Sequence, residues 1–427
     1  MSLQIDTVRP LKAKAIGRCR NQYAVESDAL RHVTVRDATV LPLRRCENSA
    51  YEYGCGGVVD ADGRYVGLSA GEDRIGGAYP VGPEEKTENK KVVYCGYFNP
   101  QWGHFLFESL SRLWFLFEKE NTAVDEFIFI TDSDMPASVS PGSNHAEVFR
   151  LLGIADRIRI VSRPVRFSEV IVPQESFVLT KRINESFSLV FDRIRSEVVS
   201  GKESETGLRI FLGRSSFPKA RKYEIGIADM ENHFRKNGYM VVYPEQIPLK
   251  DLISLMNRSE EIVTFSGSVA HNLLFAPAGS KVTVIEKFPY VNYFQTAVDI
   301  SRRLDVAYVD ANAFVRPVDV GLGPFIICFN RYFSAYCQSR GLSVPEETAV
   351  GRQSEKRLHR FLLIHNREYG SGWRMPGWLG EFDDLMEEAF SDSKACYSEA
   401  DADNLWFRFR NRFSFYRIVR SIYRFFR

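Results

Sequence analysis

No run of apolar residues in this chain approaches the 18 that a membrane-crossing helix needs, so no transmembrane helix is expected. The N-terminus, MSLQIDTVRPLKAKAIG, lacks an apolar core, and no signal peptide is expected there. The seven cysteines are scattered and include no C-x-x-C pair, which argues against a zinc or dithiol redox site and for thiols in a reducing cytosol. A formal net charge of +2 is too small to mark a nucleic-acid binder. Walker, G-x-G-x-x-G and G-x-S-x-G motifs are all missing. What remains is globular: 44% hydrophobic and 26% charged residues over 427 positions, enough for two ordinary domains. Aromatics reach 13%. Stacking surfaces for sugars or bases would explain that excess, but an aromatic core explains it more simply.

Residues 1–95 read as short β-strands separated by glycine-rich turns, a β-rich entry region. From residue 92 to 200 strands alternate with helices. Val92–Tyr94 precedes a strongly apolar helix, Trp102–Phe117; Glu126–Ile130, Arg157–Val161 and Glu169–Val172 are strands, and Ser186–Val199 is an amphipathic helix suited to bridging two lobes. A charged linker, Gly201–Gly207, leads to a second lobe at 208–340. An irregular or helical extension at 341–403 follows. In the last 24 residues, 404–427, seven arginines alternate with aromatic and aliphatic side chains. As a helix this tail would lie on an anionic membrane surface; packing on its own protein or on a partner subunit would use the same pattern and leaves a homo-oligomer open.

The most telling stretch is Phe211–Glu286. Short strands at Arg209–Gly213, Tyr239–Tyr243 and Glu261–Phe265 alternate with helical patterns at Pro248–Met256 and Ser268–Phe275, which indicates a parallel, doubly wound α/β sheet. Such sheets bind ligands outside the carboxyl ends of their strands. At one end lie Ser266, Gly267 and Ser268, small residues before a helix whose N–H groups could meet a phosphate. At another lie Arg214, Lys219 and Arg221. Together they suggest a nucleotide or sugar-diphosphate site, with His271 or Asn272 one turn into the helix and Glu245 placed for a ribose or base contact.

FLGRSS followed by R-K-Y-E, the stretch Gly238–Glu245 and GSVAHNLLFAPAG…VIE together resemble glycosyltransferase family 61, and WGHFLFESLSRLW at Trp102–Trp114 is similar to that family's H-x-x-x-E helix. The resemblance spans about residues 92–290. Arg214, Arg221, Glu224, Gly267 and Asn272 keep the family pattern, whereas Ser266 stands where many members have His, and Tyr223 where many have Asn. It implies a GT-B-like fold of two Rossmann-like lobes and an inverting transfer from a nucleotide sugar that needs neither metal nor cofactor. The first lobe (1–200) would supply the acceptor and base, the second the donor site.

An inverting transfer needs a general base and positive charge on the departing diphosphate. His104 and Glu108, four apart on one helix, face the same side, with either able to serve as base. Arg214, Lys219 and Arg221 are the leaving-group contacts. A rival signal is Asp132–Ser133–Asp134, whose spacing could hold a divalent cation in a GT-A enzyme; the same residues, with Pro136, also make an ordinary turn, and the turn is the reading taken. The expected function is therefore an inverting transferase acting on a surface polysaccharide, capsule or lipopolysaccharide type, or on a lipid-linked glycan, peripheral on the cytoplasmic face of the membrane. A pyruvyl transferase on the same architecture and a non-catalytic glycan-binding protein are the alternatives.

Overall fold

The computed structural model describes residues 7–46, 50–71, 74–82, 86–119, 123–132, 138–200, 206–218, 224–288, 290–313, 325–346 and 388. Lys219, Arg221, Tyr223, Asp134, the linker residues 201–205, nearly all of 341–403 and the whole tail 404–427 lie outside the described residues.

The protein is α/β, built on two large sheets. The first has six strands: β1 His32–Arg44, β2 Cys55–Val59, β3 Lys86–Tyr97, β4 Glu126–Ile130, β5 Ile158–Val161 and β6 Val165–Pro173. Their order is β2-β1-β6-β3-β4-β5; β6, β3, β4 and β5 run parallel, and β1 and β2 add an antiparallel edge. Both faces are buried, as continuous apolar runs demand. Val93, Cys95, Phe127, Phe129 and Ile171 face one core, while Val92, Tyr94, Ile128, Ile130, Val170 and Val172 face a second, smaller one.

The second sheet has five strands, all parallel: β7 Leu208–Leu212, β8 Met240–Val242, β9 Ser259–Phe265, β10 Lys281–Glu286 and β11 Asp305–Asp310. The order β8-β7-β9-β10-β11 reverses direction between β7 and β9. That reversal opens a crevice at the carboxyl ends of those two strands.

A 15-residue helix, Glu185–Val199, ties the two sheets together. The Asn184 side chain caps it by accepting from the Ser186 amide at 2.9 Å. Phe187, Val190, Phe191, Ile194 and Val198 form its buried stripe. Phe187 stacks on Phe107 beside the first sheet, and Phe191 meets Phe275 beside the second. Arg302 and Arg303 pair with Asp192 and Glu185 at 2.8 Å. The larger core runs without a break from β3 and β4 through this helix into β7, β9 and β10.

Two elements differ from the sequence expectation. Within the region expected to hold only strands and turns, Pro10–Asn21 forms a helix. Its inner face carries Lys12 and Cys19 beside Ala15 and Ile16, so no apolar stripe announces it. Lys12, 1% exposed, reaches Glu286 at 2.9 Å and Asp310 at 2.8 Å, which fastens this helix to the ends of β10 and β11. Trp102–Phe117 is also no regular α-helix. It has α-helical pitch over Trp102–His104, π pitch over Phe105–Ser109 and 3-10 pitch over Leu113–Phe117. Phe105, Leu106, Phe107, Ser109 and Leu110 are all buried, and wider pitch turns this all-round apolar segment into the core. No helix among the described residues is long and apolar enough to cross a membrane.

Candidate functional site

The crevice between β7 and β9 holds Arg214, one of the three basic residues that sequence spacing pointed to, along with a lysine it missed. After β7 the chain turns at Gly213, and the Glu231 carboxylate accepts from the amides of Arg214 and Ser215 at 2.7 and 2.9 Å. Ser215 Oγ and Tyr243 Oη bind the same carboxylate. This turn is thus held by an internal anion, so its backbone donors are already used. The Arg214 side chain projects instead and contacts Glu224 Oε1 through Nε at 3.2 Å and a terminal nitrogen at 3.1 Å.

Lys287, directly after β10, reaches the same oxygen at 2.8 Å. Its side chain is 4% exposed, and burial outweighs the pull of Glu224 and lowers its pKa to about 8. Burial pushes Glu224 upward, but the charges of Lys287 and Arg214 overcome this and hold the carboxyl below its ordinary range. Two cations thus share one carboxylate at the strand ends. A lysine following VTVIE at the end of a parallel strand was the available sequence signal for this residue.

Gly267 follows β9 with φ +106, a conformation open to glycine. A Cβ there would lie 3.5 Å from Lys287 Cε and 3.7 Å from the Phe288 ring. Ser266, fully buried, accepts from the Lys287 amide at 3.1 Å and so ties the ends of β9 and β10 together. The expected helix at Ser268–Phe275 is a turn followed by a 3-10 helix, Ala270–Phe275, with all six residues buried. A turn, not an α-helix N-terminus, therefore borders the crevice here, with Ser268 exposed on it. Asn272 is committed elsewhere: its Oδ1 accepts from Trp102 Nε1 at 3.0 Å and its Nδ2 donates to the Val269 carbonyl at 2.9 Å. It holds the two sheets together and has no reach to a phosphate. Glu245, exposed in the turn after β8, accepts from the Ser216 hydroxyl at the outer rim.

His104 and Glu108 stand across from this crevice on the other sheet's side. His104 Nδ1 lies 3.0 Å from Glu108 Oε1, and Arg74 Nε lies 3.5 Å from the same oxygen. Arg74 and His104 thus fix the carboxylate from two sides, and the edge of the His104 ring packs on Phe294 at 5.3 Å. Between the two groups sits His271, 5% exposed, with neither ring nitrogen hydrogen-bonded. Burial, then the nearby charges of His104 and Arg214, lower its pKa to about 3 and keep it neutral. A Cβ on Gly103 would come within 2.6 Å of His271 Nδ1, so only glycine permits this approach. The structure therefore brings His104, Glu108, His271, Gly267, Ser268 and Arg214 to one junction, leaves Glu245 at its edge and turns Asn272 inward.

Asp132 follows β4 and bridges to Leu43; its expected partner Asp134 is outside the described residues.

The chain's match to a known family covers this junction. Residues 102–283 match the model of the family described as Glycosyltransferase 61. No curated protein matches the chain. The matched segment begins at Trp102, runs through the His104–Glu108 pair and ends on β10, and over it the chain is similar to glycosyltransferase family 61.

Proposed function

We propose that this protein moves a sugar from a nucleotide-sugar donor to a glycan acceptor with inversion, on a GT-B-like pair of lobes and without a metal ion. One observation carries the reading: Arg214 and Lys287 converge at the carboxyl end of a parallel sheet, with a His–Glu pair facing them across His271. The donor diphosphate would lie against Arg214, Lys287 and the backbone at Gly267. His104, its Nδ1 held by Glu108, would use Nε2 as base. In a single displacement the acceptor oxygen gives its proton to His104 and bonds to the anomeric carbon. The bond from that carbon to the phosphate oxygen breaks, and the nucleoside diphosphate leaves with the electron pair, its charge met by Arg214 and Lys287. Arg74 would fix Glu108 as the orienting group, which favours His104 over Glu108 as the base.

The acceptor class proposed is a surface polysaccharide or lipid-linked glycan, with residues 404–427 resting on the cytoplasmic membrane face. Calorimetry with nucleoside diphosphates and nucleotide sugars, with and without EDTA, tests the core of this reading. Binding that survives EDTA and vanishes in Arg214→Ala supports it, as does a product whose anomeric configuration is opposite to the donor's. Binding that requires a divalent metal and is lost in Asp132→Ala would overturn it. Co-sedimentation with phosphatidylglycerol vesicles, before and after removal of 404–427, tests the membrane contact.

A further inference from the structure

Beside the base pair, the first sheet carries chemistry that the donor site does not use. Two cavities, of about 260 and 570 Å³, adjoin there and share Glu52, Tyr53 and Tyr97 as a common wall. Small-molecule sites commonly measure about 300–1,000 Å³, so the joined space accommodates more than one sugar ring. The Tyr53 and Tyr97 rings stand 6.2 Å apart at 50°. Tyr51, in the larger cavity, lays its ring against the Cα of Gly76, which leaves no room for a side chain there.

Charge separates this place from the donor crevice. In the smaller cavity three carboxylates, Glu52, Glu108 and Glu175, are matched by Arg74, Arg112 and Lys181. Arg112, 1% exposed, forms the floor and donates to the carbonyls of Leu68 and Ala70 at 2.9 and 2.7 Å. Arg74 lies over the Tyr53 ring at 5.3 Å and near Glu108. Such a lining offers matched donors and acceptors to hydroxyl groups, which cost free energy to desolvate unless paired, and ring faces to the C–H surface of a sugar. It has no surplus charge with which to hold a phosphate or a uronate.

We propose that the joined cavities are the acceptor site, and that they take an uncharged oligosaccharide whose reacting hydroxyl extends from the smaller cavity past Glu108 to His104 while preceding sugars occupy the larger. This rests on the transferase reading above. Tyr51, Tyr53 and Tyr97, the tyrosines shared by or lining the larger cavity, all precede residue 102 and lie outside the segment matched to the family.

Saturation-transfer NMR tests this on the full chain. The probes are the methyl glycosides of glucose, galactose and N-acetylglucosamine, their β-linked disaccharides, and methyl glucuronide as the charged counterpart. The proposal expects a neutral probe to bind, a disaccharide better than its monosaccharide. Tyr53→Ala should weaken it roughly tenfold, about 1.4 kcal/mol. Glu52→Ala, at a position whose side chain is 63% exposed and tolerant of change, should weaken it as well. Nucleoside diphosphate affinity should stay within about twofold in both variants. A preference for methyl glucuronide, or unchanged sugar affinity in both variants, overturns the proposal. So does nucleotide binding with no neutral sugar bound, which would leave the donor reading standing. Sugar binding without nucleotide binding would keep the glycan site and remove the transferase reading.

Discussion

Arg214 and Lys287 reach one carboxylate oxygen from two strand ends, and this shared pairing sets what each substitution does. Arg214→Ala should weaken nucleoside diphosphate binding at least tenfold by calorimetry, since hydrogen bonds to charged groups contribute about 1.5–3 kcal/mol. Lys287→Met leaves Glu224 with one cation fewer, so it should lower the melting temperature as well as the affinity, while Lys287→Met with Glu224→Gln should recover much of the stability and none of the affinity. Because burial lowers the Lys287 pKa to about 8, affinity for the diphosphate should fall as pH rises through that value, and Lys287→Arg should remove the dependence. His104→Ala should reduce kcat by about 10²–10⁴-fold with donor affinity unchanged, as expected for loss of a general base. Arg214, His104 and Glu108 could be picked out as candidates because a basic residue after a strand and an i, i+4 pair are local patterns. Lys287 was not read: its role comes from Glu224, 63 positions away in sequence.

At the scale of elements, the segment Trp102–Phe117 decides how closely the two halves of the site meet. Its α-helical start brings Gly103 against His271, and its π-helical turn sends Phe105 and Phe107 into the core on successive faces. Gly103→Ala should therefore cost about 1–3 kcal/mol of overpacking and lower kcat, read by thermal denaturation and single-turnover kinetics. Sequence periodicity marked this segment as apolar and helical but could not reveal its pitch. Pitch was decided by the need to bury residues on every side at once. The same limit applies to Ala270–Phe275, where complete burial tightens the backbone into 3-10 form. Helix Pro10–Asn21 escaped notice for the opposite reason, since its buried face is partly ionic.

For the whole molecule, buried titratable groups make acid the weak side. His145, His233 and His271 are held below the ordinary histidine range, in each case chiefly by burial. The unfolded chain binds protons near pH 6.5 that the fold refuses, so stability is full above that pH and falls as pH drops below it. Glu286 and Asp299, raised by burial from 4.5 and 3.8 to about 6, act in the opposite direction below pH 6 but are outnumbered. The melting temperature should be lower at pH 5.5 than at 7.5, and His271→Leu should reduce that difference. Lys12→Met should cost about 3–5 kcal/mol, because it takes the buried cation from Glu286 and leaves Asp310 with Arg9 alone.

Read by itself, the amino-acid sequence determined the α/β class, the parallel strands between Leu208 and Glu286, and the resemblance of residues 102–283 to a known family. These depend on short-range periodicity and on small and charged residues at strand ends, which act through neighbours in the chain. The tertiary structure alone decided the pairing of Lys287 with Glu224, the capture of Asn272 by Trp102 and the seating of Pro10–Asn21 on β10 and β11. Each joins residues from 63 to 298 positions apart, and only folding brings their charges and hydrogen-bonding groups within reach.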